Sequence, residues 1–311
     1  MKKFLTYERG LEKFSPLDRV MVYDDFDLGF NGWLDLTPNY VREDFRQQPS
    51  TLDLGSWAPS MISSAPMRFA ASHGSLEGNY SLKLSTRAVA GPYESQPVDG
   101  SMGIAIKRLS RSEPGTRLVQ IEAWYAYTPQ QDRIGTGEED IRAFGFFFDI
   151  QDDEHRWQPG IRYVNSANGR AVKKWQYWKV ADGVSRRDWC FGLEDGWEAP
   201  GIDSLWCGRR YADGSADGFQ WVPDGAQSLV YNESPDKLNW LYLRLTVDIE
   251  KREYVELQSM DELFDLRGLA PTLCPTYEGI TKLINPVFFI ESDTNRSVNL
   301  FLDSVVYSTG A

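Results

Sequence analysis

The sequence predicts an all-β protein, an antiparallel β-sandwich of jelly-roll type with long aromatic-rich loops and few short helices. Three observations carry this. Many segments alternate apolar and polar residues with period two and end in turn residues, the pattern of half-buried strands. Helical periodicity is confined to residues 3–13 and to Met260–Arg267, the latter about two turns at most. So many short strands with so few helices bury their apolar faces only by packing sheet against sheet.

In chain order, residues 1–20 form an N-terminal extension, and strands are expected at 81–87 and 102–109. Val119–Tyr127 follows, with Val119, Ile121, Ala123 and Tyr125 inward and Gln120, Glu122 and Trp124 outward. In Arg142–Ile150 the core face reads Phe144, Phe146, Phe148 and Ile150. Its other face reads Ala143, Gly145, Phe147 and Asp149, continuing to Gln151, and its small residues leave room above the sheet. Strands at 160–165 and 173–180 come next. The clearest of all is Trp240–Ile249, where Leu241, Leu243, Leu245, Val247 and Ile249 oppose Trp240, Tyr242, Arg244, Thr246 and Asp248. Glu250–Glu253 turns it into Tyr254–Gln258 as a hairpin, and strands at 286–291 and 299–307 complete the set. With no linker, low-complexity tract or repeat, residues 1–311 read as one domain, in which 170–240 is a loop-rich insertion over the sheet.

Composition narrows the function. Hydrophobic residues make up 41%, and the net charge is 33 − 45 = −12. That sign repels nucleic-acid phosphates and anionic lipids, so neither is an expected partner. No run approaches the length of a membrane-spanning helix. The opening Met-Lys-Lys-Phe-Leu-Thr-Tyr-Glu-Arg returns to charge too soon for a secretory signal, so a cytoplasmic location is expected. Three cysteines and two histidines are too few for a disulfide framework, a zinc site or a His-rich centre, and no organic cofactor is expected. The excess lies in 11 Trp, 15 Tyr and 16 Phe beside 45 carboxylates, a composition matched to a neutral, hydroxyl-rich ligand such as a sugar.

Three motifs carry a resemblance. Asp24–Trp33 (Asp-Asp-Phe-Asp-Leu-Gly-Phe-Asn-Gly-Trp) resembles the opening strand of jelly-roll carbohydrate-binding modules. Leu76–Ser85 is similar to their Gly-then-Ser-Leu strand, and Asn299–Tyr307 to their closing strand. The resemblance implies a concanavalin-A-like lectin or glucanase sandwich whose members bind or cleave glycans. It also implies a structural calcium tying first strand to last, held here by Asp25, the main chain around Gly78, and Asp303; calcium takes six to eight oxygen ligands. The alternative is that Asp25 and Asp303 end strands and cap turns.

If the outward faces of the best strands share one sheet, they form a platform. Glu122 and Asp149 are the expected catalytic pair for glycoside cleavage, which needs two carboxylates roughly 5–9.5 Å apart. Trp124 and Trp240 would stack on the sugar, Arg244 would hold it, and Gln151, Tyr242, Arg162 and Glu256 would line the groove. The competing reading is that these are solubilising charges on exposed strands. The acidic runs Glu138–Asp140 and Asp152–His155 read as solvated turns, as calcium ligands, or as a mount for His155 as a proton carrier. Among 170–240, Trp175, Tyr177, Trp178, Trp189, Trp197, Trp206, Trp221 and Trp240 either line a groove rimmed by Arg186, Arg187, Asp188, Arg209 and Arg210 or pin loops as a satellite core. Three functions follow: a glycoside-processing hydrolase or lyase, a non-catalytic lectin-like protein, or an assembly subunit whose aromatic face meets a partner, including another copy of itself.

Overall fold

The computed structural model describes residues 10–35, 61–64, 74–86, 102–109, 115–129, 137–182, 210–232, 239–275, 283–292, 294 and 296–311. Two antiparallel sheets face each other. The first runs β14 (Glu262–Asp265), β13 (Glu253–Ser259), β12 (Leu241–Asp248), β6 (Leu118–Pro129), β17 (Val298–Gly310), β4 (Tyr80–Ser85) and β3 (Met61–Ser64), with β1 (Arg19–Asp24) also paired to β17. The second runs β11 (Phe219–Ala226), β10 (Arg170–Trp178), β9 (Gly160–Ala167), β7 (Ile141–Gln151), β16 (Leu283–Ser292), β5 (Met102–Lys107) and β2 (Trp33–Asp35). The short β8 (His155–Trp157) joins β7 to β15 (Leu273–Pro275). Successive strands β4, β5, β6 and β7 alternate between the sheets, as do β16 and β17, so the predicted all-β antiparallel sandwich is the fold that forms. No helix among the described residues is long and apolar enough to cross a membrane.

The predicted inner faces are the inner faces. Leu241, Leu243, Leu245 and Val247 of β12 meet Val119, Ile121 and Tyr125 of β6 and Phe144, Phe146 and Phe148 of β7 in one core. Phe144 is the aromatic hub, with the rings of Tyr125, Tyr127, Tyr163 and Trp175 at 4.6–6.3 Å. Gln227 and Leu229, just after β11, are tied to the core. The Tyr127 hydroxyl donates to Leu229 O (3.2 Å), the Tyr163 hydroxyl donates to Gln227 O (2.8 Å), and Trp175 Nε1 donates to Gln227 Oε1 (2.8 Å). Buried hydroxyls of this kind need such partners, because an unpaired polar group in the core costs more than a hydrogen bond returns.

Several expectations differ from the structure. Met260–Arg267 is not a helix: Met260 takes φ 55° in a tight turn and Glu262–Asp265 returns as β14 against β13. Of the helical stretch expected at 3–13, residues 3–9 lie outside the described residues, while Gly10 and Leu11 are helical and the chain turns at Glu12–Lys13. Within 170–240 the expected strand at 173–180 forms as β10 and β11 is a further strand; Trp189, Trp197, Trp206, Arg186, Arg187, Asp188 and Arg209 lie outside the described residues. Trp175 and Trp178 are buried, Trp175 in the main core. Cys274 is disulfide-bonded.

Much of the faces expected to be wet is covered, although Arg244 and Glu256 stay partly exposed. Every residue of β7 is buried on both sides, and Glu122 on β6 is fully buried. Alternation reports which residues share a face, not what lies on top of it.

Candidate functional site

The expected platform divides between the two sheets. Glu122 and Trp124 (β6), Tyr242 and Arg244 (β12) and Glu256 (β13) share the outer face of the first sheet, and Arg244 pairs in register with Glu122. The Tyr242 hydroxyl donates to Glu122 Oε2 at 2.5 Å, and Arg244 donates to Glu256 Oε1 at 2.5 Å. Burial, and then the negative charge of Glu122, push the Tyr242 hydroxyl far above its ordinary range, so it stays a donor. Over these residues lies the segment Lys13–Ser15 as a covering layer. The Ser15 amide donates to Glu122 Oε2 (2.7 Å), the Gln120 amide donates to Ser15 O (2.8 Å), and the Trp124 indole donates to Lys13 O (3.3 Å). Phe14 packs against Tyr242 and Val306. The strand pattern of 1–20 is too weak to announce this.

Asp149, Gln151 and Arg162 sit on the outer face of the other sheet, so Asp149 cannot flank a bond held by Glu122. The sandwich lies between them. Asp149 is gripped by Arg156 through two bonds of 2.9 and 3.2 Å, and Gln151 is buried nearby. Trp240 packs with Ala126 and Phe301 on the first sheet. The run from Asp152 is a turn: Asp152 Oδ1 accepts the amides of Glu154 and His155, Oδ2 accepts Arg252, and His155 Nδ1 stands 3.6 Å from Glu154. The Glu138–Asp140 run is a 3-10 turn tied to Asn165 and Ser166.

The densest polar assembly is one that alternation alone does not reveal. On the outer face of the second sheet Arg162, fully buried, grips Glu291 of β16 through Nε (2.9 Å) and Nη2 (2.5 Å) and donates to Gln176 of β10 (3.0 Å). Arg210 and Arg142 approach the same carboxylate at 3.8 and 4.0 Å. Burial opposes the charged form of Glu291, yet Arg162, with Arg210 and Arg142 behind it, holds the carboxyl below its usual range. The Arg162 guanidinium also lies 5.2 Å from the centre of the Phe219 ring, which packs with Trp178.

A hairpin straps this cluster. Arg210 bridges Ala216, and the Tyr211 amide donates to Ser215 O (3.0 Å). Gln176 donates to Gly214 O (3.1 Å) and Arg142 to Tyr211 O (3.1 Å), so the cluster fixes the hairpin from below. Gly214 takes φ +89°, and a Cβ there would press on Val164 at 3.0 Å. The other side of the hairpin is polar: Tyr211 is 40% exposed and donates to Asp217 Oδ1 (2.8 Å), while Asp213 accepts the hydroxyl and amide of Ser215. Of the residues expected at a site, this assembly includes Arg162 and the rim residue Arg210. Sequence reasoning misses Glu291, Gln176 and Arg142; only Glu291, at the end of the apolar run Val287–Ile290, carries a local signal.

The calcium ligands do not fit calcium. Asp303 Oδ1 accepts the amides of Leu76 (2.6 Å) and Glu77 (3.3 Å), and its Oδ2 accepts Lys13 Nζ (3.2 Å). The carboxylate against Gly78 is Asp27, not Asp25, and it accepts the amides of Asn79 and Tyr80. Asp25 caps the Asp27 amide. This loop offers N–H donors where a calcium loop offers oxygens. Among the described residues no group of three or more His, Cys, Asp or Glu is placed to hold a metal.

Fold and site define a two-sheet antiparallel β-sandwich with a strapped arginine–glutamate cluster on one outer face. The chain belongs to the family described as Domain of unknown function (DUF6772), which matches residues 1–311. No curated protein matches it. Among solved structures it is similar to the carbohydrate recognition domain of Emp47p, at 9% identity and a TM-score of 0.38, over 96% of this chain and 100% of that one. It is also similar to the alginate lyase Aly36B (8% identity, TM-score 0.38, 80% and 95% covered) and to Lectin I from Ulex europaeus (8%, 0.34, 81% and 92%).

Proposed function

We propose that the protein is a non-catalytic, lectin-like glycan binder whose contact surface is the hairpin Arg210–Gly218. The observation that carries this is the exposed Tyr211 ring, bonded to Asp217, above a buried polar base. A tyrosine ring supplies a stacking face, and an adjacent carboxylate accepts sugar hydroxyls, the combination of apolar body and placed polar groups that small-ligand sites use. The base removes the ordering cost that a free loop would bring to binding.

The hydrolase reading has less support. Its nominated carboxylates lie on opposite sheets, and each is engaged: Glu122 by Tyr242 and Ser15, Asp149 by Arg156. Glycoside hydrolysis asks one of the two to carry and release a proton.

Screening the full chain on a glycan array, followed by calorimetry on the best ligand, tests the reading. Tyr211→Ala is expected to abolish measurable binding and Asp217→Asn to weaken it about tenfold, roughly 1.4 kcal/mol, with thermal stability unchanged. Binding that survives Tyr211→Ala, or an array with no bound glycan, defeats it.

A further inference from the structure

We propose that Lys13 is the built-in cation of the junction between the first and last strands, occupying the role that a bound calcium would otherwise have, and that it locks the N-terminal layer onto the sandwich. The junction gathers three distant parts of the chain. Asp303 lies at a bulge in β17, between Leu302 and Ser304 of the ladder to β6, and its side chain is 2% exposed. The loop before β4 brings the amides of Leu76 and Glu77 to one of its oxygens. Lys13 Nζ reaches the other oxygen at 3.2 Å and Glu77 Oε2 at 3.1 Å, with its own side chain 13% exposed.

The chemistry favours an ammonium over a metal. A buried carboxylate needs a compensating charge or several donors. Here two backbone N–H groups already occupy Oδ1 and the Lys13 ammonium takes Oδ2, so the carboxylate is satisfied by donors alone. An ammonium is a compact charge with three donors and no need of six oxygens. Its place is set in advance, because the residues around it are fixed independently: Lys13 O by Trp124, Ser15 by Glu122 and Gln120, and the Leu17 amide by Ser308 Oγ at 3.0 Å. The cation therefore arrives with the segment that covers the first sheet. Loss of the charge should loosen both the cover and the β4–β17 junction.

The test uses thermal unfolding and limited proteolysis of the full chain. Neither calcium chloride nor a chelator should move the wild-type Tm. Lys13→Met should lower Tm by about 3 °C or more and open residues 10–18 to cleavage, whereas Lys13→Arg keeps most of the stability. Adding Asp303→Asn to Lys13→Met should restore some of the loss, because the unpaired buried carboxylate is then gone. Should Lys13→Met not fold, Lys13→Gln replaces it in the same comparison. A chelator that lowers the wild-type Tm overturns the proposal. So does a wild-type Tm in the uncharged Lys13 variant, or losses from Lys13 and Asp303 that simply add.

Discussion

Glu291 shows how one residue can hold a face together. It stands in Val287–Ser292, is fully buried, and is bound by a guanidinium 129 positions away in sequence. Glu291→Gln leaves Arg162 buried against an amide, and removing one partner of a buried pair costs about 3–5 kcal/mol. Chemical denaturation should show the loss as a lower midpoint with an unchanged slope. The same carboxyl sets an acid limit. Its folded-state pKa lies below the ordinary glutamate value, so its stabilisation is complete above that value and is lost as pH falls through the lower one. Asp152 acts in the same direction: burial works against its charge, but the amides of Glu154 and His155 and the Arg252 guanidinium prevail. Tm should therefore be level from neutral pH to about pH 5 and fall below about pH 4, and a Tm rising in that acid range would contradict the account. Glu291 is visible in the sequence as a charge in an apolar run. Its partner is not, because strand pairing brings Arg162 to it and no local pattern encodes that pairing.

At the scale of elements, the hairpin from β9 to β10 is built on two residues. Ala167 pairs with Arg170, while Asn168 (φ 50°) and Gly169 (φ 71°) form a turn with both central residues left-handed, the type that matches strand twist. A Cβ on Gly169 would meet nothing within 4 Å. Gly169→Ala thus isolates backbone strain, and a loss of about 1–2 kcal/mol is expected, read by thermal or chemical unfolding. A larger loss would mean a packing role. The strands were legible for a related reason: period-two patterning places Leu241–Val247 and Phe144–Ile150 correctly without knowledge of their neighbours. What alternation cannot carry is the sheet to which a strand belongs, so Glu122 and Asp149 look like companions yet stand on opposite sides. Nor can it show a covering layer, since Ser15 and Phe14 have no periodic signature. Met260–Arg267 misled because a tight turn at Met260 reverses a strand within a stretch whose Leu263, Phe264 and Leu266 also suit a helix.

For the molecule as a whole, β17 is the common member. It pairs with β6 along most of its length, and on its other edge with β4 and then β1. Deleting residues 298–311 should leave no cooperative unfolding transition by calorimetry or circular dichroism, whereas a surface strand such as β14 should be removable with the transition retained. A sharp melting curve from the shortened chain would show that the two halves stand alone.

This placement bears on how the protein is made. β6 leaves the ribosome about 170 residues before its central partner, and at 5–20 residues per second that is roughly 10–30 s during which its edge is open. The nascent chain must spend that interval with an unpaired, largely apolar ribbon in solution, the situation in which holding chaperones act and in which slow codons near the 3′ end would do harm.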